Sequence, residues 1–380
     1  MLKTVVLGAG RVGSAMAIDL ARDAQFDVSV ADRDPRQLAR LEQASGILGE
    51  RVDFSLTSTV ARAIANADLV ISAVPGFLGF QTLQTVIEAG KNVVDIAFFP
   101  EDPFQLDSLA KQQGVTAIVD CGVAPGMSNL LVGHASTQLD ETHAVAIYVG
   151  GLPCAREGLF EYRAVFSPID VIEEYTRPAR VMHNGNIVVR DALSELEILH
   201  FPEIGDLEAF NTDGLRTLAH TIDAPNMIEK TLRYPGHAEK MKLLRDMGLF
   251  GADPVDLPDG ASVCPIDLTK ALLFPLWEMK AGERDLTVMR IQVTGKKAGK
   301  TVQATYDLLD RFDEATGTTS MARTTGYTAT VVARMLAQSL YDTPGIHPPE
   351  HIGALPDCVD FILAGLQDRG IVYHESMQGI

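Results

Sequence analysis

The chain has few cysteines and no excess of positive charge. Its four cysteines (Cys121, Cys154, Cys264 and Cys358) lie far apart in 380 residues and form no CxxC pair. That spacing supports neither a disulfide framework nor a zinc site, so we expect no metal ion and a reducing, cytoplasmic environment. Lys and Arg number 32 against 50 Asp and Glu, which gives a formal net charge of −18. Since nucleic acids and anionic membranes are polyanions, a surface this acidic argues against both as partners.

Long apolar runs are also missing. The uncharged stretches Leu69–Ile87 and Cys121–Leu139 are long enough to cross a bilayer, but Pro, Gly, Asn or Gln interrupts each of them. We therefore expect no membrane span. The N-terminal run MLKTVVLGAG has one lysine and ends at glycines, which is typical of a first β-strand rather than of a signal peptide.

The first 120 residues alternate short β-rich runs with amphipathic helical segments. Continuous apolar strands in such an alternation predict a Rossmann-type, doubly wound parallel sheet, which we assign to residues 1–125. After about Gly126 the runs become longer and alternate, as at Leu286–Thr294. This indicates a second α+β domain over residues 126–321, with a mixed or antiparallel sheet. A helix predicted at Thr328–Leu340 is expected to fold back, so that residues 322–380 complete the first domain.

The run GAGRVG follows the first strand directly and opens a helix. In such a loop the first glycine permits a tight turn, the second lets a pyrophosphate approach the backbone, and the third lets helix and strand pack closely. Free N–H groups and the helix dipole favour negative charge at this helix end. We therefore predict that a dinucleotide is bound by Gly8, Gly10, Arg11, Val12 and Gly13.

A carboxylate, Asp32, ends the second strand about twenty residues after the glycine-rich loop. An acid at that place hydrogen-bonds the adenosine ribose and repels a 2′-phosphate, so NAD is the favoured cofactor. The neighbouring Arg33 is suited to a 2′-phosphate and keeps NADP open. Asp34 is interpreted as the cap of the helix that starts at Pro35.

Other strand ends of the first domain should face the same crevice, because ligands bind at the carboxyl ends of such strands. Ala73, Val74 and Pro75 end one strand with small side chains that leave room for the cofactor. Asp95 ends the next strand. Its carboxylate is either a turn cap or a polar group that faces the nicotinamide.

The segment DCGVAPGMSN, which begins at Asp120, leads out of the first domain. Its glycines and proline fix an irregular backbone, so we expect it to line the interdomain cleft, with Gly122 among the lining residues. Cys121 has no evident partner base and is interpreted as a small residue beside the cofactor. Gly151, in the strand end YVGGLP, indicates another close approach of backbone to ligand.

Arg233 and His237 lie in the run TLRYPGH, just ahead of a predicted helix. Arginine is suited to bidentate binding of a carboxylate. A histidine at a helix N-terminus tends to stay neutral, because the helix dipole disfavours imidazolium.

These motifs, in this order, resemble the saccharopine dehydrogenase-like family, and within it the lysine 6-dehydrogenases. The matching stretches extend from the first strand to the last long helix: GAGRVG, PGFLGF, GVAPGMSN, YVGGLP, SPIDVIEEYTRPARV, DGLR, TLRYPGH and TGYTA. Saccharopine reductases of that family carry an acidic residue before the Pro-Gly of the interdomain turn, where this chain has Ala124. This difference favours the lysine enzymes.

The resemblance implies NAD-dependent oxidation of L-lysine at its ε-carbon with release of ammonia, in a homodimer or a dimer of dimers. On that reaction we assign Arg233 to the α-carboxylate, with Arg163 as a weaker candidate. A saccharopine-type or other amine dehydrogenase stays open as an alternative, as does an NAD(H)-binding sensor without turnover.

The same reaction needs a group that deprotonates the ε-ammonium, whose reference pKa is about 10.4. Asp95 or Asp120 is expected to contact that ammonium or to position the water. His237 and Tyr162 are the candidates for proton transfer.

Overall fold

Six short strands from the first 120 residues form a parallel sheet in the computed structural model, which describes residues 1–280 and 282–380. The strands are β1 (Leu2–Leu7), β2 (Phe26–Asp32), β3 (Gly49–Arg51), β4 (Leu69–Ser72), β5 (Asn92–Asp95) and β6 (Thr116–Ile118). Between them lie α1 (Arg11–Ala21), α2 (Pro35–Ser45), α3 (Thr57–Ala63), α4 (Gly76–Glu88) and, after a 3₁₀ turn at Pro103–Leu106, α5 (Asp107–Gln113). All the pairings are parallel, which confirms the predicted doubly wound sheet.

The central strands β1, β4 and β5 are mostly apolar because helices cover both faces of this sheet. Val6 of β1 belongs to one buried cluster, whereas Val5 and Leu7 belong to another. Successive side chains of a strand point to opposite faces, so the two clusters are the two layers of the domain.

The second domain follows β6. Its first ten elements are α6 (Met127–Thr137), β7 (Glu141–Pro153), α7 (Pro168–Thr176), β8 (Ala179–His183), β9 (Asn186–Arg190), β10 (Glu197–Phe201), β11 (Gly205–Asn211), α8 (Leu218–Thr221), β12 (Asn226–Arg233) and α9 (His237–Asp246). Then come β13 (Val255–Asp256), β14 (Ser262–Val263), α10 (Pro265–Trp277), β15 (Asp285–Lys297) and β16 (Lys300–Arg311).

Most of these strands form one large mixed sheet. Its order is β10-β11-β12-β7-β15-β16, with β8 and β9 attached beside β12. The pairing of β12 with β7 is parallel, and the other pairings of this sheet are antiparallel. The predicted second domain with a mixed sheet is thereby confirmed.

The C-terminal segment divides between the two sheets. It contains α11 (Ser320–Ala337), β17 (Gly345–His347), α12 (Pro349–Gly353), α13 (Pro356–Gln367) and β18 (Tyr373–Gly379). α11 packs on α1, and β17 extends the first sheet beside β6. β18 instead pairs with β16 of the second sheet. The expectation that residues 322–380 all complete the first domain is therefore wrong for β18.

The order of the first sheet is β17-β6-β5-β4-β1-β2-β3. The direction of winding reverses between β1 and β4, and a crevice opens outside the strand ends at such a point. The loops after β1 and β4 therefore lie side by side at the place where this type of sheet binds ligands.

Candidate active site

A cavity of about 820 Å³ lies between the strand ends of the first sheet and the second domain. One end is formed by the loops after β1, β2 and β4, and we call it the glycine-rich end. The other is formed by α7, the loop after β11, β12 and α10, and we call it the carboxylate-rich end. The segment after β6 and the end of β7 lie between the two.

The glycine-rich end fits a dinucleotide. Gly8 has a φ of +111°, and a Cβ at this position would lie 2.7 Å from the carbonyl oxygen of Ala73. A Cβ on Gly13 would lie 2.0 Å from the carbonyl oxygen of Gly8, so helix and loop meet too closely for any side chain. Gly10, the N-cap of α1, has open space where its Cβ would be. A pyrophosphate would be held there, at the free N–H groups of α1.

Asp32 lies beside this loop at the end of β2. Its Oδ2 accepts a hydrogen bond of 2.6 Å from the backbone N–H of Ala9, and its Oδ1 accepts one of 2.8 Å from that of Asp34. Asp34 is the N-cap of α2 and accepts from the N–H of Arg36, as expected. Arg33 is exposed and also lines the cavity. The glycine-rich end therefore presents both a carboxylate, Asp32, and a guanidinium, Arg33, where the adenosine of a dinucleotide would lie.

Arg11 joins the glycine-rich loop to the second domain. Its guanidinium donates to the carbonyl oxygens of Ala164 at 3.1 Å and Met279 at 3.2 Å. Val12 lines the cavity next to it. Arg11 thus acts as a bridge between domains in addition to its place in the loop.

The other small residues of the prediction also line the cavity. Ala73, Val74 and Pro75 form the wall after β4, and Gly122 lies in the wall after β6. A Cβ on Gly151 would meet the Met321 side chain at 2.5 Å, so the end of β7 packs closely against α11. The middle of the cavity is therefore made largely of backbone and small side chains.

Asp95 and Asp120 lie behind the cavity wall and are not among its lining residues. Asp95 is fully buried, and burial raises the pKa of its carboxyl to about 7. Asp120 is held by Arg216, whose Nε lies 3.1 Å from Asp120 Oδ2, with both side chains buried. Asp95 ends β5 as predicted, whereas Asp120 follows β6 by two residues, and neither side chain lines the cavity.

Cys121 has the same inward orientation. Its side chain is 1% exposed and lies outside the lining, whereas its neighbours Gly122 and Val123 line the cavity. Burial raises the pKa of the thiol, so the thiolate form is disfavoured. The Cys121 side chain is therefore not part of the cavity wall, and its contact with a cofactor stays a prediction.

Tyr162 and His237 belong to a buried aromatic cluster beneath the carboxylate-rich end. The Tyr162 ring lies 5.1 Å from that of His237 and 5.3 Å from that of Trp277. His237 Nδ1 donates to the carbonyl oxygen of Phe160 at 3.0 Å, because a carbonyl can only accept. Nε2 of the neutral ring therefore accepts from the Tyr175 hydroxyl at 2.9 Å. Neither Tyr162 nor His237 lines the cavity.

The neutral state of His237 was expected from the helix dipole, but the structure shows a stronger cause. His237 is the first residue of α9, and it is 2% exposed. Burial, followed by the nearby Arg233 cation, lowers the pKa of His237 to about 3. The imidazole is therefore neutral throughout the physiological range.

Arg233 lines the carboxylate-rich end, although its side chain is only 2% exposed. Its Nη2 lies 2.5 Å from Glu174 Oε2, its Nε donates to the Tyr175 hydroxyl at 3.3 Å, and its Nη1 donates to the Leu232 carbonyl oxygen at 3.0 Å. Arg163, the weaker candidate, lies outside the lining and is paired with Glu283 at 2.9 Å. Of the two arginines, Arg233 is the one placed to meet a ligand.

Several carboxyl groups at this end were not predicted from the sequence as site residues. The acidic side chains that line it are Asp170, Glu173, Glu174, Asp213, Glu229 and Glu278. The cationic ones are Arg177, Arg233 and Lys270. The only local signal was the acidic run in SPIDVIEEYTRPARV, which reads equally well as an exposed helix face. Glu173, Glu174 and Asp213 are paired with Arg177, Arg233 and Arg180, respectively. The remaining acids, Asp170, Glu229 and Glu278, favour a ligand that carries positive charge.

Two family models cover the chain almost completely. The saccharopine dehydrogenase NADP binding domain matches residues 4–118, and the saccharopine dehydrogenase C-terminal domain matches residues 122–371. The chain belongs to the saccharopine dehydrogenase family. Membership establishes an oxidoreductase that acts on an amine or amino acid with a nicotinamide cofactor.

Relatives in this family differ in length and in name. Saccharopine dehydrogenase (NADP(+), L-glutamate-forming) of Saccharomyces cerevisiae is 22% identical over 444 residues, covering 97% of each chain. Carboxynorspermidine synthase of Vibrio cholerae is 23% identical and covers 77% of this chain and 78% of its own. Alpha-aminoadipic semialdehyde synthase of Arabidopsis thaliana is 24% identical over 56% of this chain, which spans only 21% of that protein.

One solved structure has the same fold along the whole length of this chain. Apo saccharopine dehydrogenase (L-Glu forming) from Saccharomyces cerevisiae superposes with a TM-score of 0.80 at 21% identity, with 100% of both chains covered. The saccharopine dehydrogenase fold thus extends over both domains described above.

Membrane and metal sites were searched within residues 1–280 and 282–380. No helix in these ranges is both long and apolar enough to span a bilayer. In the same ranges, no group of three or more His, Cys, Asp or Glu side chains is arranged to hold a metal ion.

Proposed function

We propose that the chain is a lysine 6-dehydrogenase, which oxidises L-lysine at the ε-carbon with NAD and releases ammonia. The product, allysine, closes to a cyclic piperideine carboxylate. The observation that carries this proposal is the charge pattern at the carboxylate-rich end, where one buried arginine lies among several acidic side chains. Lysine has one carboxylate and two ammonium groups, so its charges complement that pattern.

Arg233 and Glu174 together suit the head group of an amino acid. Three of the five N–H donors of Arg233 have acceptors in the protein, which leaves two for a substrate carboxylate. The Glu174 carboxylate, which also lines the cavity, would take the α-ammonium. An ion pair that presents both signs side by side binds a zwitterion without leaving either charge unpaired.

The cofactor would occupy the glycine-rich end and supply the hydride acceptor. Gly8, Gly10 and Gly13 would hold its pyrophosphate, and Asp32 would bind the adenosine ribose. The Asp32 carboxylate repels a 2′-phosphate, which supports NAD. Arg33, which lines the same end, supports NADP as the alternative.

A second candidate is a dehydrogenase of saccharopine, the substrate in the name of the Saccharomyces relative. One observation favours it: Arg177 lines the cavity, and its Nη1 is buried without a hydrogen-bond partner among the described residues. Such a group would suit an additional carboxylate. Saccharopine carries more carboxylates than lysine, so the excess of acidic side chains at this end counts against it.

The proposal is tested by following NADH formation with lysine at alkaline pH, and repeating the assay with NADP, saccharopine and other amino acids. Turnover of lysine with ammonia release is the expected result. Turnover of saccharopine and not of lysine would show that saccharopine is the substrate. Binding of NADH without turnover of any amine would instead favour the sensor.

A further inference from the structure

The carboxyl group of Glu229 lies in the wall of the carboxylate-rich end. Glu229, Thr231 and Arg233 alternate along β12, and all three line the cavity, as expected for residues on one face of a strand. Glu229 is 5% exposed. Lys230, on the opposite face, is held by Glu197 at 2.7 Å and does not line the cavity.

One oxygen of Glu229 is fixed by the protein. Its Oε2 accepts from the Thr212 hydroxyl at 2.6 Å and from the Gly214 backbone N–H at 3.1 Å. Oε1 accepts no hydrogen bond from the described residues. A Cβ on Gly214 would lie 2.5 Å from Oε2, so the chain passes the carboxyl group closely at a position without a side chain. The carboxyl is therefore oriented, with one oxygen left for a ligand.

The charged groups that face Glu229 come from three elements. Glu174 of α7 and Asp213 of the loop after β11 both disfavour its ionised form, and each is paired with an arginine. Arg233 lies on the same strand and pairs with Glu174. Burial is the largest influence and raises the pKa of Glu229 to about 8, while the Thr212 hydroxyl lowers it. Glu229 thus changes its protonation state near neutral pH.

We propose that Glu229 is the catalytic base that removes a proton from the reacting ammonium group of the substrate. The inference rests on the proposed oxidation of an amine. It follows from an oriented carboxyl in the cavity with a free oxygen, whereas the sequence-predicted candidates Asp95, Asp120 and His237 do not line the cavity.

One proton passes from the ε-ammonium of lysine to Glu229, which leaves a neutral amine. The nitrogen lone pair then forms a C=N bond as Cε loses a hydride, giving a protonated imine; the cofactor, when bound at the glycine-rich end, would accept that hydride. Water adds to the imine carbon, a proton of that water passes to the nitrogen, and ammonium leaves to give the aldehyde. The proton on Glu229 returns to solvent, so the base is ionised again for the next turnover.

The test uses the full-length enzyme and the pH dependence of kcat/KM for lysine. Wild type should lose activity as pH falls through about 8, because Glu229 becomes protonated. Glu229→Gln should lower kcat by at least about 100-fold, within the usual range for general base catalysis, and should abolish that pH limb. Glu197→Gln, which removes a carboxylate on the opposite side of β12, should keep the wild-type profile.

Variants of Thr212 provide a second test, because a merely structural role of Glu229 would not make them shift the pH dependence of activity. Thr212→Val removes the hydroxyl that stabilises the ionised carboxyl, so the limb should move to higher pH. Thr212→Ser keeps the hydroxyl and should restore the wild-type position. Cofactor binding, measured by NADH fluorescence, should be unchanged in all of these variants.

The two failures are distinguishable. If wild type oxidises lysine and Glu229→Gln retains both its kcat and its pH limb, the catalytic role is overturned and the proposed function stands. If another amine is oxidised instead, the pH dependence of kcat/KM is measured with that amine. A Glu229→Gln variant that keeps its kcat and pH limb with that amine overturns the catalytic role of Glu229. If no amine is oxidised at any pH, the inference falls together with the proposed function.

Discussion

Arg233 Nη2 lies 2.5 Å from Glu174 Oε2, and both side chains line the same cavity. Arg233 is 2% exposed at its side chain and Glu174 is 20% exposed. Burial raises the pKa of Glu174, while the Arg233 guanidinium opposes that rise. The pair is therefore a fixed set of both charges at the carboxylate-rich end, and the first two predictions follow from it.

Replacing Arg233 with Lys should raise the KM for lysine, because the fork that holds the carboxylate is lost while the charge is retained. A hydrogen bond to a charged group contributes about 1.5–3 kcal/mol, which corresponds to about 10- to 150-fold in affinity. NADH binding should stay within about two-fold, as expected for a residue outside the glycine-rich end. Arg163→Lys, outside the cavity, is the matched control. An unchanged KM for lysine in Arg233→Lys would contradict the assignment.

Replacing Glu174 with Gln should weaken the binding of the α-ammonium and leave the binding of the α-carboxylate unchanged. We expect the KM for lysine to rise about ten-fold, the loss of about 1.4 kcal/mol of binding. The inhibition constant of 6-aminohexanoate, which has no α-ammonium, should stay nearly constant. Equal weakening of both molecules would mean that Glu174 only positions Arg233.

Replacing Asp32 with Asn should shift the cofactor preference toward NADP. The amide oxygen can still accept from the Ala9 N–H, which Asp32 Oδ2 meets at 2.6 Å. The amide nitrogen cannot accept from the Asp34 N–H, so only that second hydrogen bond is lost. The negative charge that repels a 2′-phosphate is removed, and the ratio of kcat/KM for NADP to that for NAD should rise at least ten-fold. Asp34→Asn is the control, since that side chain caps α2. A constant ratio in Asp32→Asn would show that Asp32 does not discriminate.

His237 should affect stability at acid pH rather than catalysis. Its folded-state pKa is lowered to about 3 from 6.5. The unfolded chain therefore binds a proton between these values while the folded one does not. Its contribution to stability is complete above about 6.5 and is lost as pH falls toward 3. His237→Asn should lose less Tm than wild type between pH 7 and pH 4. A changed pH profile of kcat/KM above pH 6 would indicate a catalytic role instead.

The first domain could be predicted from the sequence because its central strands are mostly apolar and are covered on both faces. β3 (Gly49–Arg51) was missed, since it is an exposed edge strand of three residues with no apolar side chain. β18 was missed for a similar reason, because its side chains are mostly exposed and show no alternation. Edge strands are fixed by backbone pairing with a neighbour, which leaves little trace in the sequence.

The functional side chains were harder to predict than the backbone that carries them. Asp120 follows β6 by two residues, and its side chain turns inward toward Arg216, 96 residues further along the chain. Glu229 stands in the run IEKTLR, where an alternating pattern does not reveal which face meets a cavity. Both outcomes depend on contacts between distant segments, so the local sequence could not decide them.

The most direct test of the account is to supply L-lysine with deuterium at the ε-carbon and examine the NADH formed. We predict that one deuterium per turnover appears in NADH, that ammonia is released in equal amount, and that the rate shows a primary isotope effect if hydride transfer is rate-limiting. Lysine with deuterium at the α-carbon should give unlabelled NADH. Label transferred from the α-carbon, or no oxidation of lysine at all, would contradict oxidation at the ε-carbon.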